Sequence, residues 1–323
     1  MAFARSTAAD LQAAAAAAAR SVGGLDRSDV TALLQRTFSS AGYKPPVLPQ
    51  AAVEVMQLAQ RPNVQFEEVV RVLQRDPVLA ARVLSVAQSA AQAARSPILT
   101  LQQATVRLGL RAMRELVLEA ALRLKVFRVP GFEPAMERLA RHSTAVAHVM
   151  RAVCRRTSVE TEHAFLCGLL HDVGFAASLL VLSEVPEHRA RPFTALAQVI
   201  DEVHEEASGL VARLWNLPGA IQEVVGAHHA LVVGGTARAV HATLIVAEQL
   251  AWEAGAGMEP PPEDADPMSL RTPEPPPGGI DVNWTGLVDE ARQALRLDDL
   301  SFGAARAEAF KLVADLQGPA RGT

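Results

Sequence analysis

The sequence predicts an all-α protein, and three observations carry that reading. Apolar residues return at three- and four-residue intervals along almost the whole chain, the period of one helix face. Alternating β-branched runs between turn signals, the mark of strands, are scarce. Half of the 323 residues are hydrophobic while 20% are charged, a globular balance that excludes disorder as the overall state.

Residues 1–44 read as an N-terminal extension. Its stretch Ala13–Ala19 is an alanine-driven, frayed helix, and Asp10 and Gln12 before it argue against a secretory signal core. Residues 45–130 read as about five short helices. Val53, Met56, Leu58 and Ala59 open the apolar pattern, and Asp76-Pro77 then supply an N-cap and a first-turn proline for a helix bearing Leu79, Val83, Leu84 and Val86. Ser96-Pro97 breaks the chain. A helix from 101 to 108 stops near Gly109, and the next carries Met113, Leu116, Val117, Ala120 and Leu124 up to Pro130-Gly131.

Residues 131–254 read as a second unit with longer helices, at 134–156, 159–181, 194–215, 218–229 and 236–254. Thr157 and Glu160 have the spacing of a capping box, Leu217-Pro218 separates two helices, and Gly234-Gly235 separates the last pair. Residues 255–283 turn abruptly to Pro, Glu, Asp and Gly, with triple prolines at 260–262 and 275–277, and read as an extended linker. Residues 284–323 resume a helical pattern through Trp284, Leu287, Val288, Ala291, Leu295, Phe310, Leu312 and Val313, which either docks back or meets a partner.

Charge and cysteine usage exclude several function classes. Lys+Arg 31 against Asp+Glu 35 leaves a net charge of −4, without the basic footprint of a protein that neutralises many phosphates, so no nucleic-acid partner is expected. No run of about 18 uncharged apolar residues occurs, so no membrane-spanning helix is expected. Cys154 and Cys167 have neither CxxC nor zinc-type spacing and read as reduced core residues of a cytoplasmic protein. Glycine-rich phosphate loops and nucleophile elbows are absent from the sequence.

The histidines are the chemical signal. His142, the pair His171-Asp172, His204 and the pair His228-His229 all fall in helix-like sequence. Imidazole nitrogen with carboxylate oxygen is the mixed donor set of Fe, Mn, Ni or Zn, and facing helices can each contribute one or two such ligands. The His171-Asp172 pair sits in an apolar segment, where a buried carboxylate needs hydrogen bonds or a cation. The same pattern is compatible with a dry, hydrogen-bonded cluster. His148, His163 and His188 read as surface groups, and Trp215 as a packing aromatic ahead of Asn216-Leu217-Pro218.

These residues are embedded in ordered blocks. Arg75-Asp76-Pro77-Val78-Leu79-Ala80 resembles the RDP-x-LA helix of the HDOD family, the HD-related output domain of bacterial signalling proteins. Ala87-Gln88-Ser89-Ala90 resembles its ANSA turn, with Gln88 in place of Asn, and Ala104-Thr105-Val106-Arg107-Leu108-Gly109 resembles its AV-x-RLG block. Arg141-His142-Ser143, Phe165 to Gly174, Leu214 to Pro218 and Ala227-His228-His229 follow in the family's order, over about residues 45–230. The resemblance implies a two-lobed helical fold, an N-terminal bundle over 45–130 packed on an HD-like lobe over 131–254. It also implies a regulator that works by binding a signalling protein or a ligand such as a nucleotide or cyclic dinucleotide, without catalysis, and open to homo-oligomer formation.

HDOD proteins are related to the HD-GYP phosphodiesterases, and position by position that relationship marks His142, His171, Asp172, His204, His228 and His229 as metal ligands. The late carboxylate of those enzymes falls at Glu248, one methylene longer than Asp, with His241 on the same helix as a substitute. One or two divalent transition metals are implied, and a metal-dependent phosphohydrolase is the alternative function. Two departures weigh against hydrolysis. The lysine that follows the HD pair in those enzymes is Phe175 here, and their DGxGYP loop is replaced by Ala230-Leu231-Val232-Val233-Gly234. Arg141, Arg151 and Arg213 are the candidates for an alternative phosphate clamp.

Overall fold

The computed structural model describes residues 21–22, 25–59, 61, 63–90, 98–159, 164–234, 236–258 and 284–317. The Ala13–Ala19 stretch, the Ser96-Pro97 break, Glu160 of the expected capping box, His163 and most of the expected linker lie outside these residues. Among the described residues the protein is helical, apart from two short antiparallel ladders. In these, β1 (Ser21–Val22) pairs with β2 (Leu25–Asp26), and β3 (Val232–Val233) pairs with β4 (Thr236–Ala237).

The smaller of two apolar cores is built by α2 (Gln50–Ala59), α3 (Phe66–Gln74), α4 (Pro77–Ala90) and one side of α5 (Leu101–Ala121). Asp76 caps α4 as its sequence position predicts, its Oδ1 accepting from the Leu79 amide at 3.0 Å. Thr100 and Gln103 cap α5 reciprocally. The break expected near Gly109 is present as a residue with φ 82° inside an otherwise continuous helix, a conformation that a side chain would resist. Val69, Leu73, Leu79, Val83, Ala104 and Met113 fill this core.

The larger core joins α6 (Glu133–Cys154), α7 (Ala164–Leu170), α8 (Val173–Ser183), α10 (Phe193–Asp201), α11 (His204–Leu214), α12 (Gly219–Val225) and α13 (Ala239–Glu253), while a short α9 (Pro186–Arg189) between α8 and α10 buries nothing. α5 serves both cores: Met113 and Val117 lie in the first and Leu118 in the second, which Leu122 just past its end also joins. α1 (Arg27–Phe38), within the N-terminal extension, buries Val30 and Leu34 in the larger core. The C-terminal helices α14 (Trp284–Ala294) and α15 (Asp299–Gln317) dock on α6 and α13 and bury Val288, Ala291, Ala305, Ala309 and Val313 there. Of the two options the sequence left for this segment, the structure takes docking on the body.

Two expected helices are divided and a third is shortened. The helix expected over 159–181 is α7 and α8, broken by a turn at His171-Asp172, and that over 194–215 is α10 and α11, broken just ahead of His204. The last is shorter than 236–254 because β4 takes its start. By length and mean hydropathy of 1.9, Ala164–Ser183 has the character of a membrane span, against the expectation that no such stretch exists. It is instead an interrupted core segment, with 83% of that window buried inside the protein. Cys154 and Cys167 are free and buried, and burial pushes their thiols up to about 11 and about 12.

Candidate metal centre

Helix ends and two helix interiors deliver the polar side chains to one point. His142 comes from the middle of α6, and His171 and Asp172 from the turn between α7 and α8. His204 is the first residue of α11, His228 and His229 follow α12, and Glu248 comes from α13. The elements can approach this closely because glycine stands at the crossings. A Cβ on Gly174 would lie 2.1 Å from the His204 carbonyl oxygen, and one on Gly168 would lie 2.7 Å from Ala147 Cα. The Gly174 amide also donates to Ser208 Oγ at 2.9 Å, which fixes the height of α11 and hence of His204.

Four of the histidines are anchored in one way. Nδ1 of His142 donates to the Ala256 carbonyl at 2.8 Å, that of His171 to Gly168 at 2.8 Å, that of His204 to Asp201 at 2.7 Å and that of His228 to Val225 at 3.0 Å. A carbonyl oxygen only accepts, so each Nδ1 carries the proton and each Nε2 turns inward as the free donor atom. The Nε2 atoms of His142 and His171 then stand 3.2 Å apart, as do those of His204 and His228. Two bare lone pairs do not face each other at that distance without a cation between them, a proton or a metal ion.

Asp172 lies between the two pairs. Its Oδ2 is 3.5 Å from His142 Nε2 and 3.3 Å from His171 Nε2, while its Oδ1 is 3.6 Å from His204 Nε2 and 3.4 Å from His228 Nε2. Glu248 Oε1 reaches His171 Nε2 at 3.2 Å and its Oε2 lies 3.7 Å from His229 Nε2, buried and without a hydrogen bond. The donors form two triads, His142/His171/Glu248 and His204/His228/His229, each with its ligand atoms within 4.8 Å of one another. The donor chemistry, the facing lone pairs and the orphaned Glu248 oxygen fit divalent cations, which these residues would hold with Asp172 within reach of both triads.

The electrostatics of the metal-free cluster point the same way. Burial holds His142 and His204 down at about 4, aided by the neighbouring His171 and His228 respectively, and burial with the charge of His228 takes His229 well below its usual range. Burial works against the charged form of His171 and His228 too, but Asp172 outweighs it at both. His171 is raised, and His228, with help from Glu248 and Glu205, goes up to about 9. Burial lifts Glu248 to about 7, whereas the surrounding histidines overcome burial at Asp172 and hold it well below its usual range. Each triad thus contains one histidine, His171 or His228, that Asp172 favours in its protonated form.

The structure thus brings together all seven residues singled out from the sequence. His241 lies outside both triads, with Glu223 and Arg238 as its charged neighbours. Phe175 packs its ring 4.8 Å from that of His204, so an apolar wall stands where the phosphodiesterase relatives carry a cation. Arg151 is tied to Glu115 at 2.7 Å and Arg141 and Arg213 are exposed, so none of the three candidate clamps pairs with the cluster. His148 and His188 are half-buried rather than surface groups, and His148 meets Phe165 edge to face. Trp215 packs at the end of α11, its indole donating to the Pro46 carbonyl at 2.9 Å.

Sequence reading missed the supports around the ligands. Glu205 Oε1 accepts from the His229 amide at 2.7 Å and lies 3.8 Å from His228 Nδ1. Its signal was the doubled carboxylate Glu205-Glu206 directly after His204. Trp284 stands against His229 and Ala256 lends its carbonyl to His142, and neither position carries a motif.

Comparison with known proteins agrees with this architecture. The family model of the HDOD domain matches residues 46–231. A protein of Treponema pallidum (strain Nichols) named "Uncharacterized protein" is 24% identical over 196 residues, 58% of this chain, and the match spans 38% of that relative's length. The crystal structure of an HDOD domain protein with unknown function from Geobacter sulfurreducens superposes with a TM-score of 0.56 at 24% identity, covering 89% of this chain and 99% of the other. A Shewanella amazonensis SB2B structure, provisionally named a metal-dependent phosphohydrolase, gives 0.63 at 17% identity over 89% of this chain and 99% of the other. With more than half of its length matched by the family model, on a fold these structures share, the chain belongs to the HDOD family.

Proposed function

We propose that this protein is a regulatory module of bacterial signalling that acts in the cytoplasm by binding a protein partner, with a closed pair of divalent transition-metal ions as a fixed part of its fold. The observation that carries the metal reading is the convergence of four backbone-anchored Nε2 atoms on the two oxygens of Asp172. One ion would be held by His142, His171 and Glu248, the other by His204, His228 and His229, with Asp172 shared. Zn, Fe, Mn and Ni all suit this donor set.

Enclosure supports a structural or ligand-sensing role over turnover. Six of the seven donors have side chains no more than 9% exposed, whereas a catalytic metal site keeps an open position for substrate and water. Phe175 also sets an aromatic ring, not a lysine, beside His204, where a lysine would stabilise charge on a phosphoryl oxygen. The nearly complete donor set favours a second reading, a metal-dependent phosphohydrolase acting on nucleotides or cyclic dinucleotides.

Elemental analysis of protein purified without chelators or a histidine tag separates these readings. Near-stoichiometric metal, lost in His171→Ala/Asp172→Ala, is the expected result, and metal-free protein in both would leave a dry histidine cluster. Hydrolysis of cyclic dinucleotides by the loaded protein, abolished in the same double variant, would replace the binding reading with the hydrolase.

A further inference from the structure

The chain after residue 231 lies beyond the matched HDOD region, yet it completes the centre. α13 supplies Glu248, Ala256 holds His142, and Trp284 begins α14 against His229. The Trp284 and His229 rings meet edge to face, with centroids 5.8 Å apart and planes at 88°. The indole Nε1 donates to Gln249 Oε1 at 2.8 Å, one residue after Glu248. His229 has 27% of its side chain exposed, against at most 9% for the other six donors, so the tryptophan stands at the open edge of the cluster.

Two kinds of force hold this segment down. Apolar burial of Val288, Ala291, Ala305, Ala309 and Val313 gives adhesion to α6 and α13. At the rim, Arg155 and Arg156, just past the end of α6, pair with Glu308 and Arg306 pairs with Glu253, solvent-facing contacts that salt weakens. The segment closes on the centre from one side and is joined to α13 through residues 254–283, so an opened segment stays at high local concentration.

We propose that α14 and α15 are a cis-acting cover on the metal centre, with Trp284 as its plug at the His204/His228/His229 triad. A divalent transition-metal ion enters and leaves by this edge when the cover lifts, while the donors stay anchored to the backbone. Only the identity of what passes rests on the metal reading, and the cover itself does not.

The test uses the full-length, metal-free chain and its Trp284→Ala, Trp284→Phe and Glu308→Gln variants, each checked for native helicity by circular dichroism. The readout is the rate at which diethyl pyrocarbonate modifies His229, followed by mass spectrometry. Trp284→Ala is expected to raise that rate about tenfold, Trp284→Phe to stay near wild type, and Glu308→Gln to fall between them, as local opening becomes easier. Equal rates in all four chains overturn the cover. Chelator extraction from zinc-loaded chains is expected to follow the same order, and a metal order that departs from the modification order overturns this edge as the route. If no chain takes up zinc, faster His229 modification still supports the cover while the metal reading falls.

Discussion

His204 and His228 face each other Nε2 to Nε2 at 3.2 Å, each with its Nδ1 already committed to a backbone carbonyl. Neither ring can turn to relieve the contact without breaking an anchor, so the pair, with Asp172 Oδ1 beside it, is held ready for a proton or, on the proposed reading, a metal ion. The His142/His171 pair repeats the arrangement on the other carboxylate oxygen.

Metal removal should therefore destabilise the fold. Binding to the native state alone, at a free ion concentration a thousand times the dissociation constant, contributes about 4 kcal/mol. In thermal denaturation, chelation should lower the midpoint by roughly 10 °C in the wild type, and His171→Ala/Asp172→Ala should not respond. An unchanged wild-type midpoint would identify the dry cluster.

Gly174→Ala tests the packing beneath the site. Its methyl would press on the His204 carbonyl and on Ser208, backbone and side chain that cannot swing aside. A loss of about 3 kcal/mol in urea unfolding is expected, the scale of an overpacked core. Ligand geometry should fail with it, so the folded fraction should retain less metal than wild type.

Arg151→Met should show that this arginine joins the two cores. Its Nη1 lies 2.7 Å from Glu115 Oε2, a contact from α6 to α5, and burial raises the Glu115 carboxyl even with Arg151 present. Removing the arginine leaves this partly buried carboxylate with the longer Arg111 contact at 4.0 Å, at a cost of about 2 kcal/mol in denaturant unfolding at pH 7. Glu115→Gln in the Arg151→Met background should restore most of that loss, and failure to do so would remove the ion pair as the cause.

His148 gives a pH signature separate from the metal centre. Burial, with Arg151 nearby, lowers it from 6.5 to about 4. The unfolded chain binds the extra proton between these values, so stability from this group is complete above pH 6.5, declines as pH falls towards 4, and changes no further below that. His148→Gln should lose about 2 kcal/mol less than wild type between pH 7 and pH 4.5. Parallel pH profiles would show that His148 titrates normally in the folded protein.

Much of the centre was legible in the one-dimensional chain because its residues are chemically conspicuous. A histidine beside an aspartate in Cys167-Gly168-Leu169-Leu170-His171-Asp172 violates the apolar pattern around it, and such violations mark sites. The start of α4 at Asp76-Pro77 and the kink at Gly109 were likewise local, each set by the dihedral preferences of a single residue. The division of 159–181 at His171-Asp172 was hidden, because the flanking residues keep helical periodicity on both sides of the turn.

The sequence by itself determined the helical class, the ordered HDOD blocks and which polar residues to watch, since periodicity and residue chemistry are local properties. Tertiary structure alone decided that Asp172 bridges two histidine pairs, that Glu248 rather than His241 completes the first triad, and that Glu205 and Trp284 support the second. Those relationships depend on how far one helix slides past another. That distance is set by whether a glycine such as Gly174 lets two backbones touch, a property no single segment of the sequence contains.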